Sequence, residues 1–118
     1  MATYTKKLLS VSDSGKQILV VPTTRASAML IHTAVTGVAS LDEVWIYAFN
    51  YSAQPVNLVL LWGGTVEPDN QILTPIPSQA GRVLCVDGML LHNSKSINAY
   101  ASLVSVILID GFVNNIAP

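Results

Sequence analysis

Short apolar runs of about four to eight residues, rich in Val, Ile, Leu and aromatics, recur along the chain between clusters of turn-forming residues. The punctuation falls at Asp13-Ser-Gly-Lys16, Gly37, Ser52-Ala-Gln-Pro55, Gly63–Gly64, Pro68-Asp-Asn70, Pro75 to Gly81, Asp87–Gly88, Asn93-Ser-Lys-Ser96 and Asp110–Gly111. Gly supplies positive φ, Pro presets φ, and Asp, Asn and Ser bond to nearby backbone, so each cluster marks a reversal. The strands predicted between them are Lys6–Val11, Gln17–Val21, Ala28–Ala34, Glu43–Asn50, Val56–Trp62, Ile72–Ile76, Arg82–Val86, Met89–Leu91, Ile97–Leu103 and Val104–Val113. The last two are joined by a tight bend or form one bent strand. Ala26–Ala39 has helix-permitting alanines, but its β-branched Thr33, Val35, Thr36 and Val38 and the break at Gly37 favour strand plus loop. Many short, evenly punctuated strands predict an all-β fold. The expected form is one antiparallel β-sandwich of jelly-roll or Greek-key type, spanning residues 1–118.

Two of these strands are apolar on both faces. Glu43–Asn50 places Val44, Ile46 and Ala48 on one side and Trp45, Tyr47 and Phe49 on the other. In Val56–Trp62, Val56, Leu58, Leu60 and Trp62 share one face, while Val59 and Leu61 point away. Such strands have a core on one side and either another subunit or a covering loop on the other.

Composition sharpens this. Only thirteen of 118 residues are charged, against 51% hydrophobic, where an ordinary domain is about a quarter charged. A 12.6 kDa monomer exposes roughly 6,000 Å², or one charge per ~450–500 Å². Either the surface is a neutral one rich in Ser, Thr and Asn, or other subunits cover much of it. The two-faced strands favour cover by subunits. The aromatics Tyr47, Phe49 and Trp62 are the expected anchors, since buried aromatics dominate interface energetics. Met1–Ser10, with residues 1–5 as its flexible part, reads as an N-terminal arm that orders on docking or as a frayed end leading into the first strand; Lys6 and Lys7, its only charges, are placed to meet an acidic surface.

Net charge is −1 with a pI near 6.0, so no basic field exists to attract nucleic acid. Val44 to Val66 lacks charge, but Asn50, Gln54, Pro55, Asn57 and Gly63–Gly64 interrupt it, which excludes a spanning helix. Met1–Lys7 lacks the apolar core of a signal peptide. A single cysteine, Cys85, rules out an intrachain disulfide and fits synthesis in a reducing cytoplasm.

Catalytic and ligand-binding patterns are weak. Cys85 sits in the apolar run Val83-Leu-Cys-Val86 and reads as a buried small hydrophobe rather than a nucleophile. His32, between Leu30 and Ala34, reads as half-buried or at an interface; His92 stands at a strand end. Neither has cysteine partners at zinc-ligand spacing. Glu67, Asp69 and Asn70 cluster oxygen donors suited to calcium, though a Pro68-Asp-Asn70 turn accounts for them. Gly63–Gly64 lacks the lysine and helix start of a phosphate loop. Trp62 and the polar loop after it suit stacking on a sugar, against the alternative that Trp62 packs on the sandwich rim. The expectation is a protein with no enzymatic activity, cofactor or metal.

One resemblance spans residues 41 to 116. It rests on Leu41-Asp-Glu-Val-Trp-Ile-Tyr-Ala48, Asn50, Leu60-Leu-Trp-Gly-Gly-Thr65, Ile76-Pro77 and Gly81. It continues through Val86-Asp-Gly-Met-Leu-Leu91, Asn93–Ser94 and Ile109-Asp-Gly-Phe-Val-Asn-Asn115. In that order these segments resemble small virion structural proteins of tailed bacteriophages. The resemblance implies a β-sandwich that decorates or cements the capsid as a homotrimer bound to the major capsid protein. Alternatives are a carbohydrate-binding module of a tail fibre or head appendage, and a ring component of the neck or tail.

Overall fold

A computed structural model describes residues 2–64 and 70–118. The strands are β1 (Thr3–Leu8), β2 (Ile18–Val20), β3 (Met29–Thr33), β4 (Leu41–Asn50), β5 (Val56–Trp62), β6 (Gln71–Ile76), β7 (Val83–Leu91), β8 (Ser96–Ala101) and β9 (Ile107–Ala117). Among the described residues a 3-10 turn, Arg25–Ser27, lies beside them. One antiparallel sheet runs β1-β9-β4-β7, with β2 also on β9; the other runs β3-β8-β5-β6. The pairings β5–β6, β4–β7, β3–β8 and β2–β9 are nested, so the chain is one long hairpin wound around a core. Two facing sheets made this way form a jelly roll.

Alternation builds the core. Val44, Ile46 and Ala48 of β4, with Ile107, Ile109 and Val113 of β9, face Leu58 and Leu60 of β5 and Ile97, Ala99 and Ala101 of β8. Leu9 and Ile31 join them, both at most 1% exposed.

Several sequence expectations are corrected. Arg82–Val86 and Met89–Leu91 are a single strand, and Asp87–Gly88 lies inside it, at a register shift against Val44 and Trp45. Gly88 (φ +82) supplies a bulge there, and the Trp45 ring lies over it; an added Cβ would come within 2.9 Å of that ring. Asp110–Gly111 is likewise interior to β9. The reversal ahead of β9 falls at residues 102–105, without Gly or Pro, where Ser105 takes φ 55 and donates its N–H to the Val20 carbonyl. Ile97–Leu103 and Val104–Val113 therefore supply strands of opposite sheets, not one bent strand.

β1 and β2 run in the same direction along one edge of β9, β2 on Ile107–Ile109 and β1 on Phe112–Ala117. Residues 3–5, expected in an arm, are the first half of β1. All six β1 side chains are exposed. Ordering a residue costs about 1–2 kcal/mol and a backbone hydrogen bond returns about 0.5–1.5, so a strand that buries no side chain is held near balance.

Candidate interaction surface and a Ser10–His32–Asp42 relay

The outward face of the β1-β9-β4-β7 sheet is an aromatic and aliphatic field framed by a few charges. Along β4, Glu43, Trp45, Tyr47 and Phe49 alternate with the core residues and stay half-buried. Their register partners on β9 are Asn114, Phe112, Asp110 and Leu108. The Trp45 and Phe112 rings stack with centroids 6.1 Å apart and planes 14° apart. The Lys6 ammonium lies 5.0 Å from the Phe112 centroid. The Arg82 guanidinium lies 4.1 Å from the Tyr47 centroid and grips Asp110 through Nε (3.1 Å to each oxygen) and Nη2 (2.9 Å). Hydrogen bonding to Asp110 holds Arg82 above its ordinary pKa. Glu43 Oε1 accepts the Trp45 indole N–H at 3.0 Å. Exposed Leu8, Leu19, Leu84 and Leu90 continue the face through their register with Phe112, Leu108, Tyr47 and Glu43. The charges sit over or beside rings instead of projecting alone, so they cover apolar surface without making it hydrophilic.

Of the predicted interface residues, Lys6, Tyr47 and Phe49 share this face. Lys7 is exposed but lies in register with Val113, on the opposite side of the sheet. Trp62 belongs to the other sheet, pairs with Ile97 and packs against the core, so it is not part of the same surface. On that second sheet the outward Val59 and Leu61 are buried, at 5% and 0%, within the chain itself. The expectation that β5 waits for another subunit to cover its outer face is corrected for these two residues. Of the loop read for sugar and calcium binding, Thr65 to Asp69 lie outside the described residues. Asn70 donates from Nδ2 to the Trp62 carbonyl at 3.3 Å.

A second constellation escaped the sequence reading. His32, expected to be half-buried, is 4% exposed, and so is Asp42. Asp42 Oδ2 lies 2.9 Å from His32 Nε2 and accepts the Val35 amide at 3.1 Å; its Oδ1 accepts Asn115 Nδ2 at 2.8 Å. On the far side of the ring, His32 Nδ1 accepts the Ser10 amide at 3.0 Å and lies 2.8 Å from Ser10 Oγ. An acceptor at Nδ1 puts the ring proton on Nε2, donated to Asp42. Ser10 Oγ in turn accepts the Thr33 amide at 3.1 Å.

Serine, histidine and aspartate in line invite comparison with a nucleophilic triad, but the bonding is that of a tie. The Nδ1 lone pair that would take the hydroxyl proton is already shared with the amide of Ser10. A lone pair of Oγ is occupied by Thr33. The relay fastens four segments: residues 9–11, β3, β4 and β9. The signal lay in parity, because Asp42 sits two residues before Val44 on the core face, and a buried carboxylate requires partners.

Cys85 packs partly against the core, and burial pushes its thiol up to about 11. Among the described residues no group of three or more potential ligands gathers for a metal, and no helix is long and apolar enough to cross a membrane. No protein-family model matches the sequence, and no curated protein or solved structure matches it either.

Proposed function

We propose that this chain is a non-enzymatic virion structural protein, a capsid decoration or cement protein that forms homotrimers and binds the major capsid protein on the outside of a phage head. The observation that carries the reading is the outer face of the β1-β9-β4-β7 sheet, where Trp45, Phe112, Tyr47 and Phe49 lie among leucines that are 40–51% exposed. The surface totals 6139 Å², and of the chain's thirteen charged residues Asp42 is buried and gives it nothing. A standard interface takes about 800 Å² from each partner, so a trimer contact and a shell contact together suit so charge-poor a surface. The resemblance in residues 41–116 points the same way. A jelly roll hosts many functions, so the fold supplies architecture and the face carries the argument.

The test is reconstitution on expanded heads lacking the protein. Wild-type protein is expected to bind and to raise their resistance to disruption, and a Trp45→Ala/Tyr47→Ala variant to bind at least tenfold more weakly while remaining folded. Failure of the wild type to bind overturns the reading. A sixfold or twelvefold assembly by light scattering favours the neck or tail ring. The carbohydrate-binding alternative rested on Trp62 and the polar loop after it; Trp62 packs against the core, and Thr65 to Asp69 lie outside the described residues.

A further inference from the structure

We propose that β1 is an exchangeable strand: in the assembled protein it leaves its own sheet and pairs with Phe112–Ala117 of β9 in a second copy of this chain. The inference rests on the reading of the protein as a homo-oligomer and names the element that links its subunits.

Three observations lead there. First, β1 is attached by its backbone. Its register runs from Thr3↔Ala117 to Leu8↔Phe112, and none of its six side chains is buried. Thr5 and Lys7 are exposed even though their β9 partners Asn115 and Val113 are buried. Second, the chain is fastened immediately behind the strand. Leu9 is in the core, Ser10 is tied to His32 and Thr33, and the Val11 amide donates to the Ile31 carbonyl at 3.3 Å. Peeling β1 away therefore stops at Leu9, and the sandwich behind it stays closed. Third, the vacated edge keeps its shape. β9 is paired with β4 along Leu41–Asn50, and Asp42 of β4 holds Asn115 within the stretch that receives β1.

An organised row of unpaired N–H and C=O groups seeks a strand. The occupant that fits is already defined by the register of β1 and by Lys6 resting 5.0 Å from the Phe112 centroid. The same contacts form whether the arriving strand belongs to this chain or to another copy. Exchange around a closed ring then satisfies every edge and links the subunits without new chemistry.

Cross-linking between register partners tests this. Full-length Lys6→Cys and Asn114→Cys chains, one carrying a mass tag, are unfolded together, refolded and oxidised, with each variant alone as the control for Cys85. A disulfide-linked heterodimer in the mixture is expected, and little or none in either variant alone. The doubly substituted chain closing only within itself, with no cross-link in the mixture, overturns the exchange. A geometry-independent readout is the solution mass of the chain lacking residues 1–8, expected to fall from oligomer to monomer. An unchanged oligomer after truncation overturns exchange but leaves the decoration reading standing. A wild-type monomer whose head binding is lost on truncation also overturns it, because β1 then pairs with the shell instead. Wild-type protein that exchanges strands but does not bind heads removes the decoration reading alone.

Discussion

Asn115 donates from Nδ2 to Asp42 Oδ1 at 2.8 Å across the β4–β9 pairing, although 73 residues separate the two along the chain. Both are buried, and the other carboxylate oxygen is taken by His32 and the Val35 amide. Removing one member strands the rest in a medium that does not replace water, and an unsatisfied buried group costs about 1–3 kcal/mol, more where charge is involved. Asp42→Ala is expected to lower unfolding stability by about 2–4 kcal/mol and Asn115→Ala by about 1–3. The two losses are expected to be non-additive in a double-mutant cycle, measured by urea unfolding with tryptophan fluorescence. Additive losses would show that the bond couples nothing.

Ser10 is the exposed end of the same relay, which makes the structural reading testable against a catalytic one. Ser10→Ala is expected to cost about 0.5–1.5 kcal/mol, the net value of an ordinary hydrogen bond. A fluorophosphonate probe is expected to leave Ser10 unlabelled after prolonged incubation, read by mass spectrometry. Labelling at Ser10 that disappears in His32→Ala would establish an activated hydroxyl and overturn the tie.

The sandwich was legible because alternation records burial. β4 through β6 fall within two residues of their expected bounds, as each face of a strand reports its neighbours directly. The misplaced breaks have one cause. Asp87–Gly88 and Asp110–Gly111 carry turn chemistry, yet both glycines sit inside strands where the chain passes Trp45 closely. A glycine needed for close approach looks, in one sequence, like a glycine needed for a turn. The relay was hidden for a different reason: Asp42 falls just outside the strand expected at Glu43–Asn50, and only long-range pairing brings His32 and Asn115 to it.

Gly111 shows how close that approach is. A Cβ there would overlap the Trp45 carbonyl oxygen and lie 3.1 Å from Ile46 Cα, both fixed backbone atoms. Gly81→Ala meets nothing within 4 Å and bears only its left-handed φ of +77. That strain is worth about 1–2 kcal/mol, whereas Gly111→Ala must push β9 away from β4 and is expected to exceed about 3 kcal/mol or to yield no folded protein. Equal urea midpoints for these variants would show that β9 does not run so near Trp45.

Cys85 reports on the seal around β7. Its thiol is pushed from an ordinary 9.0 to about 11, chiefly by burial. At pH 8 the native protein is expected to react with iodoacetamide about a hundredfold more slowly than the urea-unfolded chain, the ratio of their thiolate fractions. The folded chain keeps its proton where the unfolded one loses it, so this contribution to stability is complete below pH 9 and is lost as pH rises from 9 to about 11. Cys85→Ala is expected to flatten the stability profile across that range, and native reactivity equal to the unfolded rate would show the thiol to be open.

The Arg82–Asp110 pair separates folding from association. Arg82 is more than half exposed, and exposed ion pairs contribute about 0–1 kcal/mol, so Arg82→Ala is expected to leave the urea midpoint nearly unchanged. Its larger effect falls on the outer face. The guanidinium covers the Tyr47 ring at 4.1 Å and neutralises Asp110 beside it, so the substitution leaves an unpaired carboxylate among the aromatics. Burying that charge in an interface is costly, and the variant is expected to dissociate at a protein concentration at least tenfold higher than wild type. Adding Asp110→Asn is expected to restore some of the loss, since the stranded charge is then gone. Light scattering across a dilution series checks both. An Arg82→Ala protein that dissociates like the wild type would count against placing the proposed subunit and shell contacts on this sheet.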